Sequence, residues 1–147
     1  MQIYSLLSDG FCKIVRRLEL LYSIPEHAGK QHIGAAMKST ADFSHFDALD
    51  IRVGRITKVE DAATKKPTYR LTIDFGGEIG SKVSCGAYRN YAPDELLGKQ
   101  IIGVINFAEK KMGPELSQVL VLGVPNDKGE TVYLTPESDV SLGVKVF

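Results

Sequence analysis

The chain contains 147 residues, of which 44% are apolar and 24% are charged, and this composition is typical of one soluble globular domain with an appendage. Lysine and arginine together number 18, as do aspartate and glutamate, so the molecule has no net charge that would attract a polyanion. No apolar run approaches the ~18 residues of a membrane-spanning helix, so we expect no membrane partner and, if nucleic acid binds, a local basic patch.

Residues 1–36 differ from the rest of the chain. Apolar residues recur at spacings of three and four between residues 11 and 22, which predicts an amphipathic helix that Pro25 ends, followed by a linker. Two interpretations stay open: a docking helix, or an extension that precedes a true start at Met37. Charged residues interrupt the apolar part of this segment, so a signal peptide is not expected.

The cysteines and histidines indicate neither redox nor metal chemistry. Cys12 and Cys85 are far apart and form no CxxC pair, which is typical of reduced thiols in a cytoplasmic protein. The histidines, His27, His32 and His45, have no zinc-ligand spacing and no nearby cysteine. We therefore expect no cofactor and a cytoplasmic location.

The compact domain begins near residue 43. Apolar residues three apart in residues 43–49 predict one or two helical turns that lead into a strand from residue 50. Ile56 is out of phase with the start of that strand, which predicts a bulge or bend near Gly54. Residues 68–75 then alternate apolar and polar side chains, which predicts a strand with one exposed face.

A shorter strand is predicted at residues 79–85, after the Gly-Gly turn that ends the alternating strand. Residues 93–98 predict a short helix, with a proline and two acids in the first turn and a glycine just past its end. Residues 126–129 form a turn, and residues 131–134 and 144–147 supply further strand.

Two uninterrupted apolar runs, residues 101–105 and 119–122, dominate the centre of the domain. Such runs are typical of strands with both faces covered. Either a closed barrel has its outside partly covered, or a second copy of the chain covers it. The connector projects Lys110, Lys111 and Met112 from this rigid base, as scaffolds usually present binding groups.

The fold class follows from these elements. Short strands separated by glycine-rich turns, with one small helix between the third and fourth, predict an all-β protein. The expected architecture is a five-stranded OB-fold, a Greek-key barrel, in residues 37–147, with flanking N- and C-terminal extensions.

Seven motifs follow one another in residues 43–147: FDALDIRVGRI, YRLTIDFG, PDELLG, VINF, KKM, SQ and VLG. In this order they resemble the tRNA-binding domain found in CsaA, in the C-terminal part of some methionyl-tRNA synthetases and in the endothelial monocyte-activating polypeptide. The resemblance implies an OB-fold homodimer that binds the outside of tRNA with little base readout and without catalysis. It also implies an alternative, an export-related chaperone that binds apolar segments of unfolded polypeptides.

Six cations form the candidate basic rim: Lys65, Lys66, Lys82, Arg89, Lys110 and Lys111. In an OB-fold the loops after strands one and four border the same binding face, and phosphate oxygens bind mobile cations there. The alternative is an ordinary solvated surface, because Glu60, Asp61, Glu109 and Glu115 lie beside these cations in sequence.

Four uncharged residues complete the candidate RNA contacts. The resemblance implies that Met112 lies in an RNA-facing loop and that Ser84 and Ser117 contact RNA. Asn106, at a strand end, suits either a base edge or 2′-hydroxyl, or a backbone group of the protein itself.

Stacking and catalysis have less support. Tyr88 and Tyr91 are the aromatic residues expected to be free for stacking, whereas Phe107 follows the core phase. Cys85 has no neighbouring base that would activate it. The sequence contains no Ser-His-Asp set, phosphate loop or usefully spaced carboxylate pair, so an enzyme is not expected.

Overall fold

The computed structural model describes residues 37–147. The amphipathic helix and linker predicted for residues 1–36 lie outside the described residues, so the division of the chain at residue 37 stays a prediction. Neither helix of the described part is long and apolar enough to cross a membrane.

Two short helices and nine strands make up the described domain. Helix α1 (Phe43–Asp47) begins where the Asp42 carboxylate accepts a hydrogen bond from the Ser44 N–H at 2.8 Å, and α2 (Pro93–Leu96) begins with its proline as predicted. The strands are β1 (Ile51–Asp61), β2 (Tyr69–Asp74), β3 (Ser81–Gly86), β4 (Gln100–Val104), β5 (Lys110–Met112), β6 (Glu115–Ser117), β7 (Leu120–Val121), β8 (Gly123–Pro125) and β9 (Thr131–Tyr133).

The main sheet is antiparallel, with the strand order β3-β2-β1-β4-β7. Its two edges meet because residues 117–119, just before β7, hydrogen-bond to β3. The Gln118 N–H donates to the Val83 carbonyl over 2.7 Å, and the Cys85 N–H donates to the Ser117 hydroxyl over 3.1 Å. The sheet is thus a nearly closed five-stranded barrel with α2 between the third and fourth strands, which confirms the predicted all-β barrel of OB-fold type.

Strand β1 bends so that one half pairs with β2 and the other half with β4. The register with β2 shifts between Ile56 and Lys58, so the bend lies a few residues beyond its predicted position at Gly54. Gly54 has a different role: a Cβ there would lie 2.6 Å from Ile73 Cγ2 and 2.7 Å from Phe75 Cε1. The position requires glycine because two strands approach closely there.

Alternate residues of β2 fill the barrel interior, as their period of two predicts. Tyr69, Leu71, Ile73 and Phe75 are all buried, and Leu96 of α2 joins the same apolar cluster. Each fully buried aliphatic side chain contributes about 1.5–3 kcal/mol to stability. This core provides a rigid base for the loops that carry charge.

The outside of the barrel is only partly covered by the chain itself. Val119 and Val121 are buried, but Leu120 between them is 51% exposed, so the chain itself covers only one face of this run, and cover of the other face by a second copy stays a prediction. The C-terminal residues 143–146 lie along the first half of β1 and supply the predicted additional strand pairing there.

Candidate nucleic-acid interface

The β1–β2 loop (residues 62–68) is a compact turn closed by its own hydrogen bonds. A backbone hydrogen bond of 3.0 Å joins its two ends, and the Thr64 hydroxyl donates to the Lys66 carbonyl over 2.6 Å. The side chains of Lys65 and Lys66 are both exposed. The loop therefore presents two cations from an internally bonded backbone.

The hairpin formed by β5 and β6 presents the second pair of lysines. Its turn contains Gly113 with φ +67°, a left-handed conformation that favours glycine. Lys111 pairs with Leu116 across the hairpin. Because neighbouring residues of a strand face opposite sides, Lys110 and Met112 share one side and Lys111 lies on the other.

One carboxylate joins this hairpin to the β1–β2 loop. Glu115 Oε1 accepts a hydrogen bond from the Ala63 N–H over 3.0 Å, and Glu115 Oε2 lies 3.3 Å from Arg70 Nε. The Glu115 side chain is only 17% exposed. The two lysine-bearing segments therefore lie side by side. The sequence suggested Glu115 only as a neutralising neighbour, and no local pattern indicates a contact between residues 52 positions apart.

The acids that flank the basic rim in sequence have other partners. Glu60 pairs with Lys58 and Arg70, Asp61 with Arg89, and Glu115 with Arg70, while Glu109 accepts a hydrogen bond from the Gln118 amide. The hydrogen bond from Lys58 lowers the pKa of Glu60, so this carboxylate stays ionised and engaged. Within residues 37–147 no carboxylate lies at ion-pair distance from Lys65, Lys66, Lys82, Lys110 or Lys111, which we term the free lysines.

Arg89 is the member of the predicted rim that is engaged within the protein. Its guanidinium lies 2.7 Å from an Asp61 oxygen and donates to the Thr68 carbonyl over 3.3 Å. The same group stands 4.2 Å from the centroid of the Tyr69 ring. Arg89 therefore braces the base of the β1–β2 loop.

Ser84 and Ser117 are 3% and 9% exposed, and they join β3 to the segment before β7. The Ser84 hydroxyl donates to the Val119 carbonyl over 2.9 Å, and the Ser117 hydroxyl donates to the same carbonyl over 3.3 Å. Both hydroxyls are thus used inside the barrel seam, and a direct contact with RNA stays a prediction that would require the seam to open.

The Asn106 side chain makes two hydrogen bonds to backbone groups of the protein. Its Oδ1 accepts from the Asp50 N–H over 2.9 Å, and its Nδ2 donates to the Ala48 carbonyl over 2.8 Å. Asn106 therefore holds the end of β4 against the segment between α1 and β1. The structure thus shows the backbone role that its sequence position suits, and a contact between this exposed residue and RNA stays a prediction.

Two aromatic residues exchange their predicted roles. Tyr88 is 5% exposed and belongs to the core, whereas Phe107 is 50% exposed. The predictions of a free Tyr88 and a buried Phe107 are therefore both wrong. Tyr91 is half-buried and packs against Tyr133, with ring centroids 5.3 Å apart. Sequence phase misled here because neither Tyr88 nor Phe107 lies in a regular strand.

A cavity of about 410 Å³, which we term the cleft, is lined by residues of the barrel, of the β5–β6 hairpin and of the segment before the hairpin. Phe107, Lys110 and Met112 line it on the hairpin side, and Tyr88, Val119 and Leu120 are among its barrel-side residues. The cleft therefore combines a mostly apolar lining with one free lysine.

The titratable groups of the cleft are poorly suited to covalent chemistry. Burial raises the pKa of the Cys85 thiol, so the thiol is protonated at neutral pH and a weak nucleophile. Burial also raises the pKa of Tyr88 to about 12. In the part of the chain that the structure describes, no group of three His, Cys, Asp or Glu side chains could hold a metal ion. The surface is equipped to bind through charge and apolar contact.

A nearly closed five-stranded antiparallel barrel with a short helix between its third and fourth strands places the domain in the class of OB-fold proteins. Within that class the chain belongs to the family described as "Putative tRNA binding domain", which matches residues 51–145.

Relatives of known structure and function are similar over most of the described domain. The CsaA chaperone protein of Picrophilus torridus is 40% identical, with a TM-score of 0.70 over 74% of this chain and 100% of that chain. The chaperone CsaA of Bacillus anthracis is 38% identical, with the same TM-score and coverage. The methionine–tRNA ligase of Methanocaldococcus jannaschii is 30% identical over 87% of this chain, which corresponds to 20% of the ligase. The chain thus spans about a fifth of the length of that ligase.

Proposed function

We propose that this chain is a non-catalytic tRNA-binding protein whose free lysines contact backbone phosphates. The observation that carries the proposal is the pairing of every acid beside the rim with a group other than a free lysine. A phosphate that approaches a free lysine breaks no ion pair, and each neutralised phosphate releases condensed counterions. A chain of zero formal net charge can therefore attract RNA locally.

The free lysines favour binding with little base readout. A lysine ammonium is a compact charge without the planar fork that lets arginine bind a guanine edge through two hydrogen bonds. The arginines closest to the rim, Arg70 and Arg89, are already held by carboxylates. Contacts made by lysines alone would position RNA by its phosphates, with little discrimination between sequences.

A second part of the proposal is a homodimer formed through an apolar face on α1 and the C-terminal segment. We define this apolar face by Phe43, Phe46 and Val144, which are 75%, 37% and 40% exposed. An ion pair of 3.7 Å between Asp47 and Lys145 holds α1 beside the C-terminal segment, so these apolar side chains lie on neighbouring elements. Exposed apolar side chains grouped on neighbouring elements are typical of a protein interface.

The absence of catalysis is also part of the proposal. It is supported by the protonated Cys85 thiol and by the assignment of the matched region to a binding domain, which forms only a fifth of the ligase it resembles. A cytoplasmic location follows from tRNA as the partner. The polypeptide-binding alternative has the apolar lining of the cleft in its favour, but the free lysines have no part in it.

Filter binding of unfractionated tRNA, measured between low and moderate salt, tests the proposal. Wild-type affinity should fall steeply as salt rises, and Lys110→Ala with Lys111→Ala should weaken binding about 10-fold at low salt, because two phosphate contacts are lost. The same double variant should flatten the salt slope by about 0.7–0.9 per lost contact.

The matched control replaces Lys99 and Lys128, which are also exposed and have no carboxylate at ion-pair distance within residues 37–147. Neither residue lines the cleft. Their alanine variant should bind as the wild type does. No binding of tRNA by the wild type at low salt, or equal losses in the two double variants, would refute the proposed function.

A further inference from the structure

We propose that the cleft receives unpaired nucleobases, which stack on Phe107 while an adjoining phosphate lies against Lys110. This inference rests on the proposed tRNA-binding function and names the part of the RNA that enters the barrel. It follows from the size of the cleft, from the hydrogen bonds already made by its polar residues, and from the position of one free cation.

The dimensions of the cleft are those of a small-ligand site. Its volume of about 410 Å³ lies within the range of about 300–1,000 Å³ that ligand pockets usually have. Val119, Val121 and Tyr88 in its lining are buried, whereas Phe107, which also lines it, is half-exposed. An incoming planar group would therefore meet an accessible aromatic side chain above an apolar floor.

The polar side chains of the lining already make hydrogen bonds within the protein. The hydroxyls of Ser84 and Ser117 both donate to the Val119 carbonyl. Gln118 accepts from the Val83 N–H over 3.1 Å with its oxygen. Its amide nitrogen donates to a Glu109 oxygen over 2.9 Å.

These internal hydrogen bonds help to separate the candidate occupants. An extended peptide needs partners for its backbone N–H and C=O groups, and their burial without partners is costly. A nucleobase that stacks by its face leaves its polar edges to the water at the open side of the cleft. Because the polar side chains of the lining are engaged within the protein, the cleft favours a base over a peptide and should discriminate little between the four bases.

Charge points in the same direction. Lys110 lines the cleft, is exposed, and has no carboxylate at ion-pair distance among residues 37–147. An occupant that matches both features must join an uncharged planar body to an anion, and a nucleotide does so. A purely apolar peptide segment would leave this lysine without a partner.

The consequence for the ligand is a preference for RNA whose bases are unstacked. Stacking on an aromatic side chain tolerates every base because each has a π face, but a base within a duplex has its faces covered. The cleft should therefore bind single-stranded loops or ends of an RNA, while the free lysines outside it bind phosphates of any strand.

Phe107→Ala in the full chain tests the inference with three probes: a ten-nucleotide oligoadenylate, an RNA duplex and inorganic polyphosphate. We expect affinity for the oligoadenylate to fall roughly 10-fold, the lower part of the range reported for loss of one base–aromatic stack. Affinities for the duplex and for polyphosphate should stay within twofold of wild type. Leu97→Ala is the matched control, because Leu97 is 51% exposed and lies outside the cleft.

A spectroscopic test uses the absence of tryptophan from the chain. Phe107→Trp should restore affinity for oligoadenylate and give a fluorescence signal that is quenched on binding, because the indole would stack with a base. Leu97→Trp should show no quenching. Equal binding of oligoadenylate by wild type and Phe107→Ala, or quenching of both tryptophan variants alike, would overturn the inference.

The outcomes also distinguish the nucleobase site from the proposed tRNA-binding function on which it rests. If Phe107→Ala has no effect while Lys110→Ala with Lys111→Ala still weakens tRNA binding, the nucleobase site is refuted and the phosphate interface stands. If the wild type binds neither tRNA nor the RNA probes at low salt, both are refuted. A Phe107-dependent site that binds an uncharged leucine-rich peptide more tightly than oligoadenylate would refute the base site in favour of a polypeptide site.

Discussion

The free lysines and the apolar face are both surfaces on which side chains lack partners. The lysines lack an anion, whereas the apolar face lacks an apolar surface to pack against. The lysines have no nearby carboxylate within residues 37–147, although acids adjoin them in sequence. Phe43, Phe46 and Val144 have no full apolar cover. By contrast, in residues 37–147 every buried side-chain polar atom has a hydrogen-bond partner. The polar side-chain groups of this described interior are all hydrogen-bonded, and the side chains that lack partners lie at the surface, where another molecule can reach them.

This difference teaches which ligand each region takes. Unpaired cations on loops gain most from a polyanion, and their gain falls as salt screens them. Exposed apolar side chains gain from burial, which salt weakens little. The two proposed interactions, RNA on one region and a second copy on the other, can therefore be separated experimentally by their salt dependence and by variants that affect only one.

The β1–β2 loop and the β5–β6 hairpin are the two arms that carry the lysine pairs. The largest effect is expected when the lysines of both arms are removed together. Replacement of Lys65, Lys66, Lys110 and Lys111 with alanine should weaken tRNA binding by about 100-fold or more at low salt, because four phosphate contacts are lost. Sedimentation should show the same particle mass as for wild type. A change of mass would mean that the two regions are not independent, and retained affinity would place the RNA elsewhere.

The next effect comes from the apolar face. Phe43→Asp with Val144→Asp should shift the sedimentation mass at micromolar concentration from two chains to one, because a charge cannot be buried there without a partner. If one RNA contacts both rims of the dimer, affinity should also fall about 10-fold or more through loss of avidity. Leu97→Asp, at another exposed leucine, is the control and should change neither quantity. A wild-type mass of one chain would contradict the proposed dimer.

A smaller effect should follow when the two arms are disconnected. Glu115→Ala removes the carboxylate that holds Ala63 and Arg70, so the loop must be ordered on binding, and we expect about 5-fold weaker tRNA binding. The loss of a negative charge alone would strengthen binding, so the sign of the change separates positioning from electrostatics.

Glu109→Ala is the matched control for that variant, because it removes an acid next to Lys110 that does not contact the loop. It should strengthen binding slightly. Glu115→Gln should recover part of the affinity, since its amide oxygen can still accept from the Ala63 N–H. Equal strengthening by Glu115→Ala and Glu109→Ala would show that the link between the arms has no effect on RNA binding.

The smallest effect near neutral pH is on the free energy of unfolding, through Tyr88 in the lining of the cleft. Because burial raises the pKa of Tyr88 from 10.0 to about 12, the unfolded chain ionises Tyr88 at lower pH than the folded chain does. The stabilisation is complete below pH 10.0 and is lost as pH rises to about 12, by up to roughly 2–3 kcal/mol. Denaturant unfolding at pH 8 to 11 should show this decline in wild type and a weaker one in Tyr88→Phe.

Much of the fold was predictable because its signals are local. The alternation along β2 and the proline at the start of α2 depend on residues that are near neighbours in sequence. The bend in β1 was placed a few residues early, because its position depends on where the partner changes from β4 to β2. The break in the alternation of apolar residues along β1 indicates that the strand bends, but the partner strands determine where it bends.

The candidate site was predictable in its chemistry and less so in its arrangement. The sequence indicated lysines on two loops, and the structure brings those loops into contact through Glu115. It also gives Asn106 and Arg89 partners within the protein. Which of several neighbouring polar groups is already engaged depends on distances across the barrel, so a linear pattern does not reveal it.

By itself the sequence determined the barrel class, the family and the lysines of the two loops, since these depend on periodicity, motif order and residue type. Tertiary structure alone decided that Phe107 faces the cleft while Tyr88 is buried, and that the flanking acids pair away from the free lysines. The physical reason is that exposure and ion pairing arise between segments brought together only when the sheet closes.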